Sequence, residues 1–301
     1  MLNYIVISNP LSGSFRPKTV ADFMKKLRDQ KSGRINLEEY VLGKDENVSA
    51  MIRKLSPHTN YCLIFACGDG TINSAINALM EKEYCYNIKV TVLPMGTANV
   101  FAKELNIKTP NDTLEAIAEN RLIWMPIIKI TSSEKKSKFF FLMASVGLDS
   151  IVVNSLGDKF KKRFGKLAYI LLTIKNFFRA NKIKLTTRAR GKKYENVLTC
   201  VCNGKYYAGK FKVAKNNLSK NSFDVIMIKK FKLLSLLKYY IAGKSKNISL
   251  ITVSNPISID GNGEKYPVEA DGDYFCHTPV TIELADRRIN AIKRMRRGLI
   301  I

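Results

Sequence analysis

Gly68, Asp69, Gly70 and Thr71 form a turn whose chemistry suits a phosphate. Glycines let the backbone approach a ligand closely, and the unpaired amides at the start of a following helix attract an anion. Asp69 repels a bare phosphate. It makes sense when a magnesium ion accompanies the anion, because an acid can then organise metal and water beside a transferring phosphoryl group. A second turn, PMGTAN at residues 94–99, places the Thr97 hydroxyl and the Asn99 amide where a helix begins, and both side chains could serve simply as caps. A third, NPLSG at residues 9–13, follows the first apolar run. Each alone also reads as an ordinary strand-to-helix turn. Together they sit at the carboxyl ends of apolar strands, which is where open α/β sheets bind ligands.

The elements that must position these turns alternate in the first half of the chain. Apolar, β-rich runs at 3–8, 35–41, 61–66, 88–93 and 122–130 predict strands, and helical spacing predicts helices at 18–30, 46–55, 72–82, 97–105 and 111–119. That alternation requires a parallel α/β layer. After residue 127 the rhythm changes to strands with few helices between them, at 139–145, 182–189, 196–203, 223–228, 247–253 and 280–284. The change predicts an antiparallel β-sandwich. The boundary therefore falls between 1–127 and 128–284, and SSEKKSK at 132–138 reads as a polar hairpin loop near it.

NPLSG, CGDGTIN and LPMGTAN, in that order and at these spacings, resemble the nucleotide-binding turns of the diacylglycerol kinase catalytic domain. That superfamily includes sphingosine, ceramide and bacterial lipid kinases. The resemblance extends over nearly the whole chain, through GKLAY at 165–169, CNGKYYAGKFKVAKNNLS at 202–219 and VEADGDYF at 268–275. It implies a two-domain fold in which residues 285–301 pack back onto the first domain. It implies ATP and magnesium as cofactors, with Asn9, Pro10, Ser12, Gly13, Cys67, Gly68, Asp69, Gly70, Thr71, Asn73, Gly96, Thr97 and Asn99 at the nucleotide. The last acid of the Asp271-Gly272-Asp273 element would accept the substrate's proton, which assigns Asp273 to that step; Asp69 is the alternative, either in the magnesium and water network or as acceptor. Read without the resemblance, 271–273 is equally a hairpin turn.

Several positions depart from the family's pattern. Cys67 stands where a glycine is usual, so its side chain would narrow the pocket. Ser74 follows Asn73 in place of an acid, Val100 follows Asn99 in place of Asp, and Met125, Pro126 and Ile127 lack an interdomain Asp found in some bacterial members. Lys220, Asn221 and Ser222 replace an Asp-Asp-Gly loop that holds a structural magnesium in some relatives. Without those carboxylates a hard cation loses its ligands, so no tight structural magnesium is expected there. Asn203 and Gly204 read either as part of a cleft lining or as a plain turn. Trp124, His58 and His277 form no recognisable constellation, although His277 lies close in sequence to Asp273.

The 301 residues suit two domains, and a hydrophobic content of 46% supports sizeable cores. Six cysteines without a CxxC pair or zinc spacing, several of them inside apolar strands, predict buried reduced thiols. No secretory signal and no apolar run long enough to span a bilayer is legible, so the expected location is cytoplasmic with peripheral membrane attachment. A formal charge of +25 supports the second part of that expectation. Between Ser155 and Arg190 stand eleven Lys or Arg against one acid, Asp158, interleaved with Phe and Leu at helical intervals. KKFKLLSLLKYYIAGKSK at 229–246 contains no acid, and RRINAIKRMRRGLII closes the chain in similar style. Such segments can lie on anionic lipid, at about 1 kcal/mol per basic residue, or can be merely solvated faces. Nucleic acid would explain the charge but not three phosphate turns, so none is expected as partner.

The resulting expectation is an ATP-dependent lipid kinase phosphorylating a lipid hydroxyl at an anionic membrane surface. Diacylglycerol, ceramide or a sphingoid base, and a glycerophospholipid such as phosphatidylglycerol are the candidate acceptors, and a homodimer is compatible with the sequence. Two alternatives stand beside it: an NAD kinase-like enzyme, which shares the GDG turn but normally carries an Asn-Glu pair not found here, and a catalytically idle membrane- or nucleotide-binding module.

Overall fold

The computed structural model describes residues 2–33, 35–83, 85–147, 181–207, 211–243 and 245–295. They form two compact units. Unit 1 comprises Met1–Pro126, Tyr206–Phe211 and Asp286–Ile301; unit 2 comprises Ile127–Lys205 and Lys212–Ala285.

Unit 1 runs β1 (Leu2–Ser8), α1 (Pro17–Gln30), β2 (Asn36–Val41), α2 (Val48–Arg53), β3 (Asn60–Ala66), α3 (Asp69–Met80), β4 (Ile88–Val92), α4 (Val100–Glu104) and α5 (Pro110–Glu119). The strands pair in parallel in the order β2-β1-β3-β4. Val6, Ile7, Leu63, Ile64 and Phe65 are fully buried, as in a parallel sheet covered on both faces. In α1, Pro17 takes the first helical turn, where its missing N–H costs nothing, and Val20, Phe23, Met24 and Leu27 face the core at helical spacing. Each such side chain contributes about 2 kcal/mol of burial. α3 does the same with Ile72, Ala75, Ile76 and Leu79.

The strand order places a switch point between β1 and β3, since β2 lies on one side of that pair and β4 on the other. Ser8 and Ala66 are register partners, as are Phe65 and Val92, so the turns after β1, β3 and β4 leave the sheet at one level.

The remaining strands are β5 (Leu122–Ser132), β6 (Ser137–Phe140), β7 (Met143–Gly147), β8 (Leu185–Ala189), β9 (Lys192–Asn196), β10 (Leu198–Cys202), β11 (Tyr206–Tyr207), β12 (Phe211–Lys212), β13 (Phe223–Ile228), β14 (Ile248–Val253), β15 (Ile257–Asp260), β16 (Pro267–Ala270), β17 (Asp273–His277) and β18 (Val280–Ile292), with α6 (Leu233–Ala242) after β13. Unit 2 contains the sheet β14-β13-β10-β7-β16-β17, antiparallel throughout, and a second set in which β15 pairs with β18 and β8, and β8 with β9. Residues 286–292 of β18 belong to unit 1, where Asn290 and Ala291 run parallel to Lys89 and Val90 of β4.

Several elements differ from the sequence expectation. Helix α3 starts at Asp69 rather than residue 72, because Gly68 takes the extended N-cap conformation and Asp69 supplies an acid at the positive end of the helix. α4 starts at Val100 rather than 97, since Asn99 adopts a left-handed conformation with φ 49° and interrupts the helix. The run at 139–145 is two strands, β6 and β7, for a reason that lies in Asp271 and is given below. RRINAI, read as the start of a basic amphipathic tail, is instead the end of β18, with Ile289, Ala291 and Ile292 buried. Arg294 beyond it pairs with Asp112 at 2.9 Å and Glu115 at 2.6 Å. Tyr206–Phe211, read as second-domain sequence, sorts with unit 1, where the buried Glu104 carboxylate accepts the Tyr206 amide at 2.9 Å. The basic segment at 160–179, GKLAY within it, and residues 296–301 lie outside the described residues. All six cysteines are free thiols, four of them buried.

Candidate active site

Within unit 1 the three turns are stitched to one another by side chains that bond to residues 31 to 62 positions away. Asn9 donates its Nδ2–H to Thr71 Oγ1 at 2.9 Å, and the Gly68 amide donates to Ser12 Oγ at 3.2 Å. The Ser14 amide reaches the Met95 carbonyl at 3.0 Å. Asn99 Oδ1 accepts the Gly96 amide at 2.8 Å, closing PMGTAN into a tight bend. The Asn99 side chain therefore does not cap α4. That task falls to Asp69, whose two carboxylate oxygens accept the Val100 amide at 3.0 Å and the Phe101 amide at 3.1 Å. Burial raises the Asp69 carboxyl above the usual aspartate value, while the two amides and Lys103 pull the other way.

The glycines explain how three turns fit so closely. A Cβ on Gly96 would stand 2.7 Å from the Gly68 Cα, and one on Gly13 would stand 2.5 Å from Thr97 Oγ1. A Cβ on Gly70 would meet nothing within 4 Å. Gly70 is exposed at the second position of α3, where its amide and that of Asp69 have no acceptor in the helix. The arrangement can therefore do what a phosphate site requires: it presents unused amides at a helix start on an open surface. Gly96→Ala should force the two backbones apart at a cost of about 1–3 kcal/mol. The expected result is at least a tenfold weaker affinity for adenine nucleotide, measured by calorimetry, in a protein that still folds; unchanged affinity would remove this glycine contact from the account.

Asn9, Ser12, Gly13, Gly68, Asp69, Gly70, Thr71, Gly96, Thr97 and Asn99 are thus gathered in one place, with Pro10 exposed in the first turn. Two of the expected residues are placed differently. Asn73 is buried on α3, and its carbonyl and Oδ1 accept hydrogen bonds from Asn77, so its side chain faces the helix packing. Cys67 is 2% exposed and its thiol is pushed upward by burial, so its side chain lies in the core. Asp69 is half-buried with both oxygens engaged, and no group of three or more His, Cys, Asp or Glu side chains that could hold a metal ion occurs among the described residues. Magnesium would thus find no ready carboxylate set here, and the fit is to an anion carrying its own cation.

In unit 2, VEADGDYF forms a two-residue hairpin: Ala270 pairs with Asp273, and Asp271 and Gly272 have φ of 51° and 88°. Both positive angles fit the tight turn that Asp-Gly favours. The two acids have separate fates. Asp271 turns inward, accepting the amides of Phe141 and Leu142 at 3.0 Å each and Met143 at 2.9 Å. Burial pushes its carboxyl up to about 6 against the pull of those three amides. The bonds take residues 141–142 out of the sheet and divide the 139–145 run into β6 and β7. Asp273 is exposed at the start of β17, with no side-chain hydrogen bond among the described residues, two residues from the Asp271 anchor. Beyond it, the Tyr274 hydroxyl lies 2.9 Å from His277 Nδ1 on the same strand. Sequence reading missed the anchoring role of Asp271; its one visible signal was the Asp-Gly pair itself.

Asn203 is buried, donating its Nδ2–H to the Phe141 carbonyl at 2.9 Å, next to the Asp271 anchor. The loop that carries Lys220, Asn221 and Ser222 is tied by side chains. Asn216 donates to the carbonyls of Asn203 and Ser222, Ser222 Oγ donates to Asn216 Oδ1, and buried Asp224 accepts the amides of Lys215 and Asn216.

A parallel α/β unit with phosphate-type turns at its switch point, joined to an antiparallel sandwich, is the fold of diacylglycerol kinases and NAD kinases. A diacylglycerol kinase structure from Bacillus anthracis str. Sterne superposes with a TM-score of 0.71 over 97% of this chain and 96% of that one, at 18% identity. Yeast NADH kinase complexed with NADH superposes at 0.60, with 10% identity over 99% of this chain and 85% of that one. Residues 3–130 match the diacylglycerol kinase catalytic domain, and residues 143–293 match the YegS C-terminal NAD kinase beta sandwich-like domain. The chain belongs to the diacylglycerol kinase catalytic-domain family of lipid kinase-like proteins. A Streptococcus pneumoniae serotype 4 protein named "Putative lipid kinase" is 25% identical over 98% of this chain and 99% of its own length. One of the same name from Staphylococcus carnosus is 27% identical over 75% of this chain and 74% of that one.

Proposed function

We propose that this protein is an ATP-dependent lipid kinase that transfers the γ-phosphate to the hydroxyl of a diacylglycerol-like or sphingoid lipid. The observation that carries the reading is the stitching of three turns around unused helix-start amides at Asp69 and Gly70. Family membership adds the reaction class, and the relatives' names add the lipid. Similarity in fold to an NAD kinase from Archaeoglobus fulgidus in complex with ATP, with a TM-score of 0.53 and 13% identity, supports a nucleotide as the ligand.

In this reading the amides of Asp69 and Gly70, the Ser12 and Thr97 hydroxyls and the Asn9 and Asn99 amides hold the phosphate tail. Asp69 would hold a nucleotide-borne magnesium ion through water, and that ion would supply charge neutralisation at the phosphoryl group. Asp273 accepts the proton of the lipid hydroxyl.

Incubation with γ-labelled ATP, magnesium and a mixed lipid extract tests the proposal. Label is expected in a phosphorylated lipid, and the same assay identifies which acceptor is used. Label in NAD instead would reassign the enzyme to the NAD kinase reaction, and nucleotide binding without transfer to any acceptor would make it an idle module.

A further inference from the structure

Unit 2 carries a cavity of about 960 Å³ whose lining contains none of the residues assigned to the reaction. Its walls come from the start of β8, from β9, and from the segment between β13 and α6. Five lysines line it, Lys184, Lys193, Lys229, Lys230 and Lys232, against one acid, Glu195. Glu195 pairs with Lys193 at 3.5 Å. The other four lysines are exposed and have no carboxylate partner among the described residues. So many like charges around one concavity repel each other, and the fold tolerates them at a cost that an anion would offset.

Two neighbouring features add to the positive field and say what kind of anion fits. Lys232 is the N-cap of the ten-residue helix α6, which has no side-chain cap and no acid in its first turn, so its positive end opens toward the cavity. Farther along α6, Lys238 is exposed and Ile241, three residues on, is 75% exposed. A basic cavity followed by an exposed aliphatic side chain matches a phospholipid surface, with phosphate outside and hydrocarbon beneath. Nucleic acid would call for stacking platforms, and Tyr194 is the one aromatic residue in the lining.

The geometry points to this lysine-lined cavity, whose lining does not include Asp273, as a docking site for the phosphate headgroup of an anionic phospholipid that holds the enzyme on the membrane. It deepens the lipid kinase reading by naming the surface that meets the bilayer, yet its test is vesicle binding and does not require turnover.

The probe is sedimentation with large vesicles of equimolar phosphatidylglycerol and phosphatidylcholine, against vesicles of phosphatidylcholine alone. Wild-type protein is expected to bind the anionic vesicles, weakly at high salt, and to leave the neutral ones in solution. The variant K229Q/K230Q/K232Q should lose about a hundredfold in partitioning, at roughly fivefold per lysine near an anionic leaflet. The Lys→Arg triple variant should retain binding. The melting temperature of each variant shows that the fold is intact. Transfer to an acceptor dispersed in non-ionic detergent should be the same for the glutamine variant and wild type.

If the folded glutamine variant binds anionic vesicles as wild type does, or if wild type binds both vesicle types equally, the assignment of this cavity is overturned. Preference for a single-stranded oligonucleotide over the vesicles would overturn it too. Charge-dependent vesicle binding without phosphorylation of any lipid would sink the kinase reading and leave the docking site standing.

Discussion

Asp69→Ala should lower kcat/KM for ATP about a hundredfold, with most of the loss appearing as a raised KM, because the residue braces the site. A hundredfold is about 2.7 kcal/mol, close to what removal of two hydrogen bonds to a charged acceptor costs, at about 1.5–3 kcal/mol each before relaxation. Both bonds tie the PMGTAN turn to the GDGT turn through the amides of Val100 and Phe101. Without them two amide donors at the start of α4 lose their acceptor, and Gly96 no longer rests against Gly68. Asp69→Asn keeps one oxygen and should recover part of the affinity. Steady-state kinetics and nucleotide binding on both variants decide the matter. Equal, near-complete loss of kcat in the two with nucleotide affinity untouched would mean that Asp69 takes the proton and that the brace is incidental.

Asp273→Ala should do the opposite: kcat falls about a thousandfold, within the range of about 10²–10⁴ for a lost general base, while ATP affinity and melting temperature stay at wild-type values. Its side chain is exposed and without a hydrogen bond among the described residues, so little of the fold depends on it. The anchoring of this hairpin belongs to Asp271. Single-turnover transfer from labelled ATP, read beside a thermal melt, separates chemistry from folding. Wild-type rates in the variant would move the proton acceptor elsewhere. A variant that fails to fold would contradict the division of labour between the two acids.

Asp69 and Asp271 look alike to a reader of the chain, each beside a glycine in a short turn. What distinguishes their roles is which backbone amides come within 3 Å, and those belong to residues far along the chain. For Asp69 the partners are 31 and 32 residues away; for Asp271 they are 128 to 130 residues away. No local periodicity encodes such a meeting. The same holds for Cys67 and Asn73, which adjoin the glycine turn in sequence and are buried beside it in space.

Local physics was enough to make the order of elements in unit 1 legible, together with the three turns and the change to an antiparallel second half. Apolar runs of strand length, helical spacing such as Val20, Phe23, Met24 and Leu27, and glycines at strand ends are properties of short stretches. Tertiary structure decided which side chains meet: Asp69 as cap for α4, Asp271 dividing β6 from β7, Arg294 fastened to Asp112 and Glu115, and five lysines from three segments facing one cavity. The physical reason is that hydrogen bonds and charge fields act through space at a few ångströms, whereas sequence patterns report only neighbours along one strand or one helix turn.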